Sequence, residues 1–193
     1  MKKLIVILPV IFACALFLAA CATPPTEDMN KAYDAVTRAE NDADAVTYAG
    51  DTVARARDAL TKMQSEADSK RYDSAKNYAA DAVSNAEKAI ADGKAGAARA
   101  RDEAASLLNS LSGPLAETAN ALNAANNVKN IKLDFDSLSR DMDSARQTYS
   151  DAQQSLAANN FKDAVTKGQN VRSLLSGINA KITDATLAAS RKQ

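Results

Sequence analysis

The sequence predicts an all-α protein, an elongated antiparallel up-down-up-down four-helix bundle built from two duplicated long helical hairpins. Three observations favour this class. The 193-residue chain has only six Gly and four Pro, and Ala makes up about a fifth of it, a composition that favours helix over sheet. Small and apolar residues recur at steps of three and four, which is the spacing of one buried helix face. Polar turn signals interrupt this spacing at three places.

The first twenty residues have the features of a cleaved signal peptide. Lys2 and Lys3 precede an apolar run from Leu4 to Leu18. This run is short for a transmembrane helix, and Pro9 also argues against a retained membrane span. We therefore predict that residues 1–20 are a signal peptide that is removed.

The segment Leu18-Ala19-Ala20-Cys21 resembles the lipobox of bacterial lipoproteins. The resemblance implies cleavage between Ala20 and Cys21, a diacylglycerol on the Cys21 thiol and an acyl chain, such as palmitate, on the new amine. Ala22, in place of Asp, is similar to the residue found in lipoproteins that are sorted to the outer membrane. The alternative is a plain secretory signal with an incidental Cys21.

Lipidation of Cys21 has consequences for the mature chain. Cys14 is the rival acceptor, but bulky Phe12 stands where a small residue is expected. Because signal cleavage removes Cys14 and the lipid occupies Cys21, no free thiol is left for a disulfide or a redox site. Cleavage also removes two lysines, which leaves 22 basic against 24 acidic side chains. Residues 21–27 then form the lipidated Cys and a Pro-containing spacer.

The first predicted hairpin spans residues 28–111. Its first helix presents a heptad seam that only Asp42 interrupts. Residues 68–71 are polar and out of pattern, which indicates a tight turn, and the second helix follows with a seam of Ala and Gly. The two seams are Ala32, Ala35, Ala39, Asp42, Val46, Ala49, Val53, Ala56, Leu60, Met63 and Ala67, then Tyr72, Ala75, Ala79, Ala82, Ala86, Ala89, Gly93, Gly96 and Ala100.

The second predicted hairpin spans residues 114–190. Ser112-Gly113-Pro114 is the strongest helix breaker in the chain, since Gly suits the position after a helix and Pro the first turn of the next one. Asn159-Asn160 indicates the turn between its two helices. The seams are Ala121, Ala124, Val128, Ile131, Phe135, Leu138, Met142, Ala145, Tyr149, Ala152 and Leu156, then Phe161, Ala164, Gly168, Val171, Leu175, Ile178, Ile182, Ala185 and Ala189.

The seams superimpose at an offset of about 89 residues, which indicates an internal duplication. Val53 falls on Met142, Tyr72 on Phe161, and the turn on the turn. Helices of this length, joined by short turns, form an antiparallel rod of roughly 60 Å. We expect the lipid at one end of this rod and the turns at residues 68–71 and 159–160 at the other.

The sequence predicts a weakly packed section where polar residues and glycines lie at the same level along the helix axes. In an antiparallel hairpin Gly93 and Gly96 lie opposite Asp42 to Val46, with Gly50 nearby. Because Gly in a helix costs roughly 1 kcal/mol relative to Ala, this section is either a frayed stretch or a weak hinge and ligand notch. Asp42→Leu is expected to raise the melting temperature, because it completes the seam.

Composition excludes several function classes. The absence of His removes Ser-His-Asp catalysis and histidine metal sites. Equal numbers of acidic and basic residues leave no footprint for nucleic acid. The acidic group around Asp134, Asp136, Asp141 and Asp143 lacks the glycine and glutamate of a calcium loop, which indicates a solvated helix face. The two Ala-Arg-Ala-Arg-Asp runs are expected to form i,i+4 surface pairs. We predict no enzyme, no metal and no cofactor besides the lipid on Cys21.

The mature chain is similar to alanine-rich, coiled-coil-like lipoproteins of double-membrane bacteria, some of which lie beside peptidoglycan. The resemblance implies an outer-membrane lipoprotein on an undetermined face of the membrane. We expect a structural spacer, scaffold or interaction module whose partner is another envelope protein or peptidoglycan, with an oligomer possible. Two alternatives stay open, a surface-exposed adhesin or antigen, and a helical carrier or chaperone for an apolar ligand or a partner helix.

Overall fold

A computed structural model describes residues 23–129 and 131–191, and the predicted signal peptide, Ala20 and Cys21 lie outside the described residues. The described chain folds into α-helices without any strand, so the all-α prediction is confirmed. No helix within these two ranges is both long and apolar enough to cross a membrane. The helices are α1 (Thr26–Asn41), α2 (Ala43–Tyr48), α3 (Gly50–Asp68), α4 (Tyr72–Ala125), α5 (Phe135–Ala157) and α6 (Phe161–Ser190).

The chain divides into two compact units, the first ending at Lys94 and the second beginning at Ala95. Helix α4 is 54 residues long and contributes its N-terminal part to the first unit and its C-terminal part to the second. This division differs from the predicted boundary between residues 111 and 114.

The first unit contains three long helical segments in up-down-up order, α1, α3 and the N-terminal part of α4, with the short α2 between the first two. Arg57 Nε donates a hydrogen bond of 2.7 Å to Glu40 Oε1, which places the start of α3 beside the end of α1. A tight turn then reverses the chain into α4. Helices α1 and α4 run parallel, because Asp28 faces Lys76 and, further along both helices, Ala35 and Val83 line the same groove, two pairs whose numbers both differ by 48.

The core of the first unit consists almost wholly of alanine. Only Val36, Val53 and Met63 in its buried cluster are larger than Ala. Small side chains let the helix axes approach closely, but each removes little apolar surface from water, at about 25 cal/mol per Å². The alanines of the cluster are Ala32, Ala35, Ala39, Ala45, Ala49, Ala56, Ala59, Ala75, Ala79, Ala82, Ala86 and Ala89.

The prediction of one continuous helix before residue 68 is wrong. The chain leaves the helical conformation at Asp42, with φ −81° and ψ 112°, and the Asp42 carboxylate accepts a 2.7 Å hydrogen bond from the Ala45 amide. An Asp side chain competes with the helix in this way, because it satisfies the free amides of a new helix start. As a result α1 and α3 fold against each other, and Val46, predicted to lie on the seam, is 52% exposed.

This reversal also corrects the expected position of the first turn. The start of α1 lies beside the start of α4, since Asp28 Oδ2 and Lys76 Nζ are 3.9 Å apart. The turn at Ser69–Arg71 immediately precedes α4. In the first unit, therefore, the turn lies at the same end as the beginning of α1, and not at the opposite end.

The second unit also contains three helices in up-down-up order. Tyr149 Oη donates a 3.2 Å hydrogen bond to the Leu108 carbonyl, and Asn179 Nδ2 donates a 2.8 Å bond to Thr118 Oγ1. The α4–α6 contacts join residues whose numbers differ by 61 (107 and 168, 118 and 179), so these helices are parallel. Ten of the thirteen residues of the unit's buried core are larger than Ala, namely Leu107, Leu108, Leu111, Leu122, Leu138, Met142, Val171, Leu175, Ile178 and Ile182, and the other three are Ala125, Ala145 and Ala152.

The predicted helix break at Ser112-Gly113-Pro114 is wrong, because α4 continues through these residues to Ala125. Proline inside a helix costs about 3 kcal/mol. Leucines on both sides, Leu111 and Leu122 among them, enter one core, and their burial outweighs this cost. The predicted third helix is divided accordingly, since residues 121–125 belong to α4 and α5 begins at Phe135, where Asp134 caps it.

Candidate functional site

A concave surface of the first unit is a groove between α1 and α4. Its larger part has a volume of about 650 Å³ and its smaller part about 310 Å³. Both parts contain Lys31, Val83 and Glu87, so they form one continuous groove. Ala35, Ala79 and Val83 supply an apolar floor. We refer to this surface as the α1–α4 groove.

Charged side chains line the rims of the α1–α4 groove. On the α1 rim lie Asp28, Lys31, Asp34 and Arg38, and on the α4 rim lie Lys76 and Glu87. Lys31 donates a 2.6 Å hydrogen bond to Glu27, which lowers the pKa of Glu27 and raises that of Lys31. Within the described residues Asp34, Arg38 and Glu87 form no salt bridge. Half of the groove's charged groups are thus available to a binding partner.

The predicted weak section lies at the opposite end of the first unit from the start of α1. Asp42 caps α2, and Gly50 begins α3 with open space around it. Gly93 and Gly96 are both buried in α4. A Cβ on Gly93 would lie 2.5 Å from the Cα and N atoms of Ala45, so glycine here permits α2 to pack directly on α4. The predicted proximity of Gly93 to residues 42–46 is therefore present, and it serves packing.

Two turn clamps fix the helical reversals. In the first unit Arg71 donates two hydrogen bonds to the Glu66 carboxylate, at 2.5 and 2.7 Å. In the second unit Lys167 Nζ lies 2.6 Å from Asp163 Oδ2 and 2.9 Å from Ser155 Oγ. We call these the Glu66–Arg71 clamp and the Ser155–Asp163–Lys167 clamp.

The clamps stabilise the charged forms of their carboxylates. The hydrogen bond from Arg71 holds the pKa of Glu66 below its usual value. Hydrogen bonds from Lys167 and from Ser155 do the same for the pKa of Asp163. Ser155 Oγ donates to Asp163 at 2.5 Å, and Lys167 Nζ donates to Ser155 Oγ and to the same carboxylate. These three side chains join the end of α5 to the start of α6 and so fix the turn between them.

The acidic group near α5 has individual structural roles. Asp134 accepts a 2.9 Å hydrogen bond from the Ser137 amide. Asp141 contacts Lys181 at 3.4 Å, and Asp143 contacts Arg146 at 3.1 Å. No group of His, Cys, Asp and Glu within the described part of the chain has a geometry that could hold a metal ion.

The two arginine runs do not form the expected i,i+4 pairs. Arg57 reaches Glu40 on α1, and Arg55 donates to Thr52 Oγ1 at 2.8 Å. In the second run Arg101 pairs with the adjacent Asp102. The Arg57–Glu40 pair was missed because a continuous first helix places these residues far apart.

Comparison with known proteins adds one finding. Residues 27–105 match a family described as a domain of unknown function (DUF4398). The match covers α1, α2, α3 and the part of α4 up to residue 105, which is fewer than half of the residues of the chain. No curated protein and no solved structure matches the sequence.

Proposed function

We propose that the protein is a non-catalytic, lipid-anchored bacterial envelope protein that acts as a spacer, scaffold or interaction module. The observation that carries this proposal is the short distance in sequence between Cys21 and Thr26, where α1 begins. A lipid on Cys21 would hold the start of the first unit close to the membrane. Acyl chains contribute about 0.8 kcal/mol per buried CH₂, and two or more chains give stable anchoring.

The surface of the first unit supports an interaction role. The α1–α4 groove begins at Asp28, two residues into α1, and combines an apolar floor with charged rims. Such a surface suits a partner helix or an extended polar partner. We propose that the groove is the interaction surface, that its partner belongs to the envelope, and that the protein resides in the outer membrane.

The packing of the first unit favours an interaction module over a carrier for apolar ligands. Its central alanines, such as Ala32, Ala56 and Ala82, have no exposed surface, and a carrier would have to separate these helices to admit a ligand. Binding at the rims of the groove requires no such opening.

The anchor is tested by metabolic labelling with an alkyne palmitate in a double-membrane bacterium. We expect the full chain to incorporate the label and to fractionate with the outer membrane. Cys21→Ser should lose both properties, whereas the matched control Cys14→Ser should keep them. A labelled, membrane-bound Cys21→Ser variant would contradict the proposal, and proteolysis of intact cells would identify an adhesin by its cleavage at the surface.

A further inference from the structure

The charges on the α1–α4 groove have an internal symmetry. Along α1 they alternate as Asp28, Lys31, Asp34 and Arg38. Read from the other end, the same series has the opposite sign at every step. An antiparallel copy of this edge therefore presents a positive charge to each negative one and a negative charge to each positive one.

We propose that the α1–α4 groove binds a second copy of this chain in an antiparallel two-fold dimer. In such an isologous contact, residue i of one copy meets residue j of the other and j meets i. Lys31 faces the second copy's residue 34, and Asp28 faces its residue 38. Both pairings are centred near position 33 of α1.

The charges on helix α4 fit the same axis. Its two groove charges, Lys76 and Glu87, also have opposite signs and are centred between positions 81 and 82. Neighbouring positions of α1 and α4, Asp28 with Lys76 and Ala35 with Val83, differ by 48, so position 33 of α1 lies level with position 81 of α4. One two-fold axis thus pairs all six groove charges with opposite charges.

The dimer also compensates the groups that the single chain leaves without a salt bridge. Asp34 gains the second copy's residue 31, Arg38 gains its residue 28, and Glu87 gains its residue 76. The part-buried Val83 at the centre of the floor is covered at the same time. Exposed ion pairs are individually weak, so the symmetry of the whole set, and not any single pair, determines the preferred arrangement.

Two lipid anchors are compatible with this arrangement. Helix α1 begins at Thr26, seven residues from the axis, which is about 10 Å of helix. The five residues from Cys21 to Pro25 can span at most about 18 Å. Both anchors of one dimer therefore reach a single bilayer when the helices of the first unit lie along its surface.

The dimer rests on the groove being the interaction surface of the proposed function, and it does not depend on lipidation. It is tested by sedimentation velocity of the full chain in excess detergent over a range of protein concentrations. We expect a reversible dimer. Lys31→Asp and Asp34→Lys should each weaken it by about tenfold or more, because each change places like charges together at two symmetric positions.

Sedimentation of a mixture of the two variants is the second part of the experiment. Positions 31 and 34 are then both acidic in one chain and both basic in the other. A mixture of K31D and D34K should therefore form heterodimers about as tightly as the native chain associates. Weakening by each change alone, together with rescue on mixing, distinguishes the antiparallel two-fold contact. A parallel contact of α1 with itself already places like charges together in the native chain, so neither single change would weaken it, and binding to another protein alone predicts no rescue.

The matched control is Asp58→Lys, the same change of charge on α3 and outside the groove. It should leave dimerisation unchanged, and circular dichroism should show native helix content in all variants. A native chain that stays monomeric at tens of micromolar, or variants that fail to associate on mixing, would overturn the dimer. Palmitate labelling of the same variants tests the anchor separately, so that failure of one proposal is distinguishable from failure of the other.

Discussion

The two units reverse the chain with the same turn geometry but with different side chains. At the turn of the first unit Lys70 has φ 57° and the Arg71 amide bonds the Glu66 carbonyl at 2.9 Å. At the turn of the second unit Asn159 has φ 61° and the Asn160 amide bonds the Ser155 carbonyl at 2.8 Å. Each of these second-unit positions is 89 residues after its counterpart, so the two turns have equivalent backbone geometry.

The cores, in contrast, differ in the size of their side chains. Ala82, Ala86 and Ala89 in the first unit correspond at this offset to Val171, Leu175 and Ile178 in the second. The spacing of buried positions therefore specifies the helical path, whereas side-chain volume specifies how closely the helices approach. Because larger side chains remove more apolar surface from water, the second unit has the larger hydrophobic contribution per buried position.

The largest expected effect concerns core volume. Ile178→Ala should lower the free energy of unfolding by about 2–5 kcal/mol, since it removes buried carbon atoms and leaves a cavity. The reciprocal change, Ala89→Ile, should cost about 1–3 kcal/mol by overpacking. Urea denaturation followed by circular dichroism measures both. If Ala89→Ile instead stabilised the protein, the close packing of the first unit would be refuted.

A second comparison concerns the buried glycines. Gly93→Ala should destabilise the protein by about 2 kcal/mol, because its Cβ meets the Ala45 backbone at 2.5 Å. Gly168→Ala should cost less, because its Cβ meets only the side chains of Leu107 and Leu108, which can rotate. Gly50→Ala, with open space around it, is the matched control. Equal effects at Gly93 and Gly168 would contradict the backbone contact.

A third comparison concerns the Asp helix caps. Asp42→Leu should lower the free energy of unfolding by about 1 kcal/mol through loss of the cap on α2. This is the reverse of the stabilisation that a continuous heptad seam predicts for the same change. Asp134→Leu removes the cap of α5 in the second unit and should cost a similar amount. Thermal melts of both variants check this. A rise in melting temperature for Asp42→Leu would favour a continuous first helix.

The smallest effect is the acid dependence of the clamps. The pKa values of Glu66 and Asp163 are lowered on folding, so each carboxylate stabilises the native state above its unfolded pKa. This contribution is lost as the pH falls through the lower, folded pKa. The melting temperature should therefore fall below about pH 4.5, and less so in Glu66→Gln and Asp163→Asn. Unchanged acid sensitivity in both variants would exclude the clamps as its source.

Much of the fold could be predicted from the spacing of side chains. The turns at residues 69–71 and 158–160, the helical class and most buried positions follow from periodicity and local turn chemistry. The breaks in α1–α3 and the continuity of α4 do not. At Asp42 a local side-chain cap on the Ala45 amide outweighed helix continuation, although Asp42 also fits the heptad spacing of a continuous helix. At Pro114 burial of the flanking leucines outweighed a strong breaker, and that outcome depended on tertiary contacts.

The candidate site was predictable to a smaller extent. The sequence alone could place Gly93 and Asp42 at the same level along the helix axes, because the predicted spacing of buried positions is nearly correct in this section of the first unit. The α1–α4 groove could not be predicted, since it requires α1 and α4 to run parallel, which a continuous first helix forbids. Alternating charges at residues 28, 31, 34 and 38 were the available signal, but without a neighbouring helix they indicate only a solvated face.

The most direct test of the reversal between α1 and α3 is a spin-label distance within the first unit. Labels at Asn30→Cys and Gln64→Cys, in processed protein diluted with unlabelled chain, occupy exposed positions on α1 and α3. Side-by-side helices predict a separation below about 25 Å, given packed helix axes and flexible labels. A continuous helix between these residues would give about 51 Å, and that result would contradict the three-helix first unit and its groove.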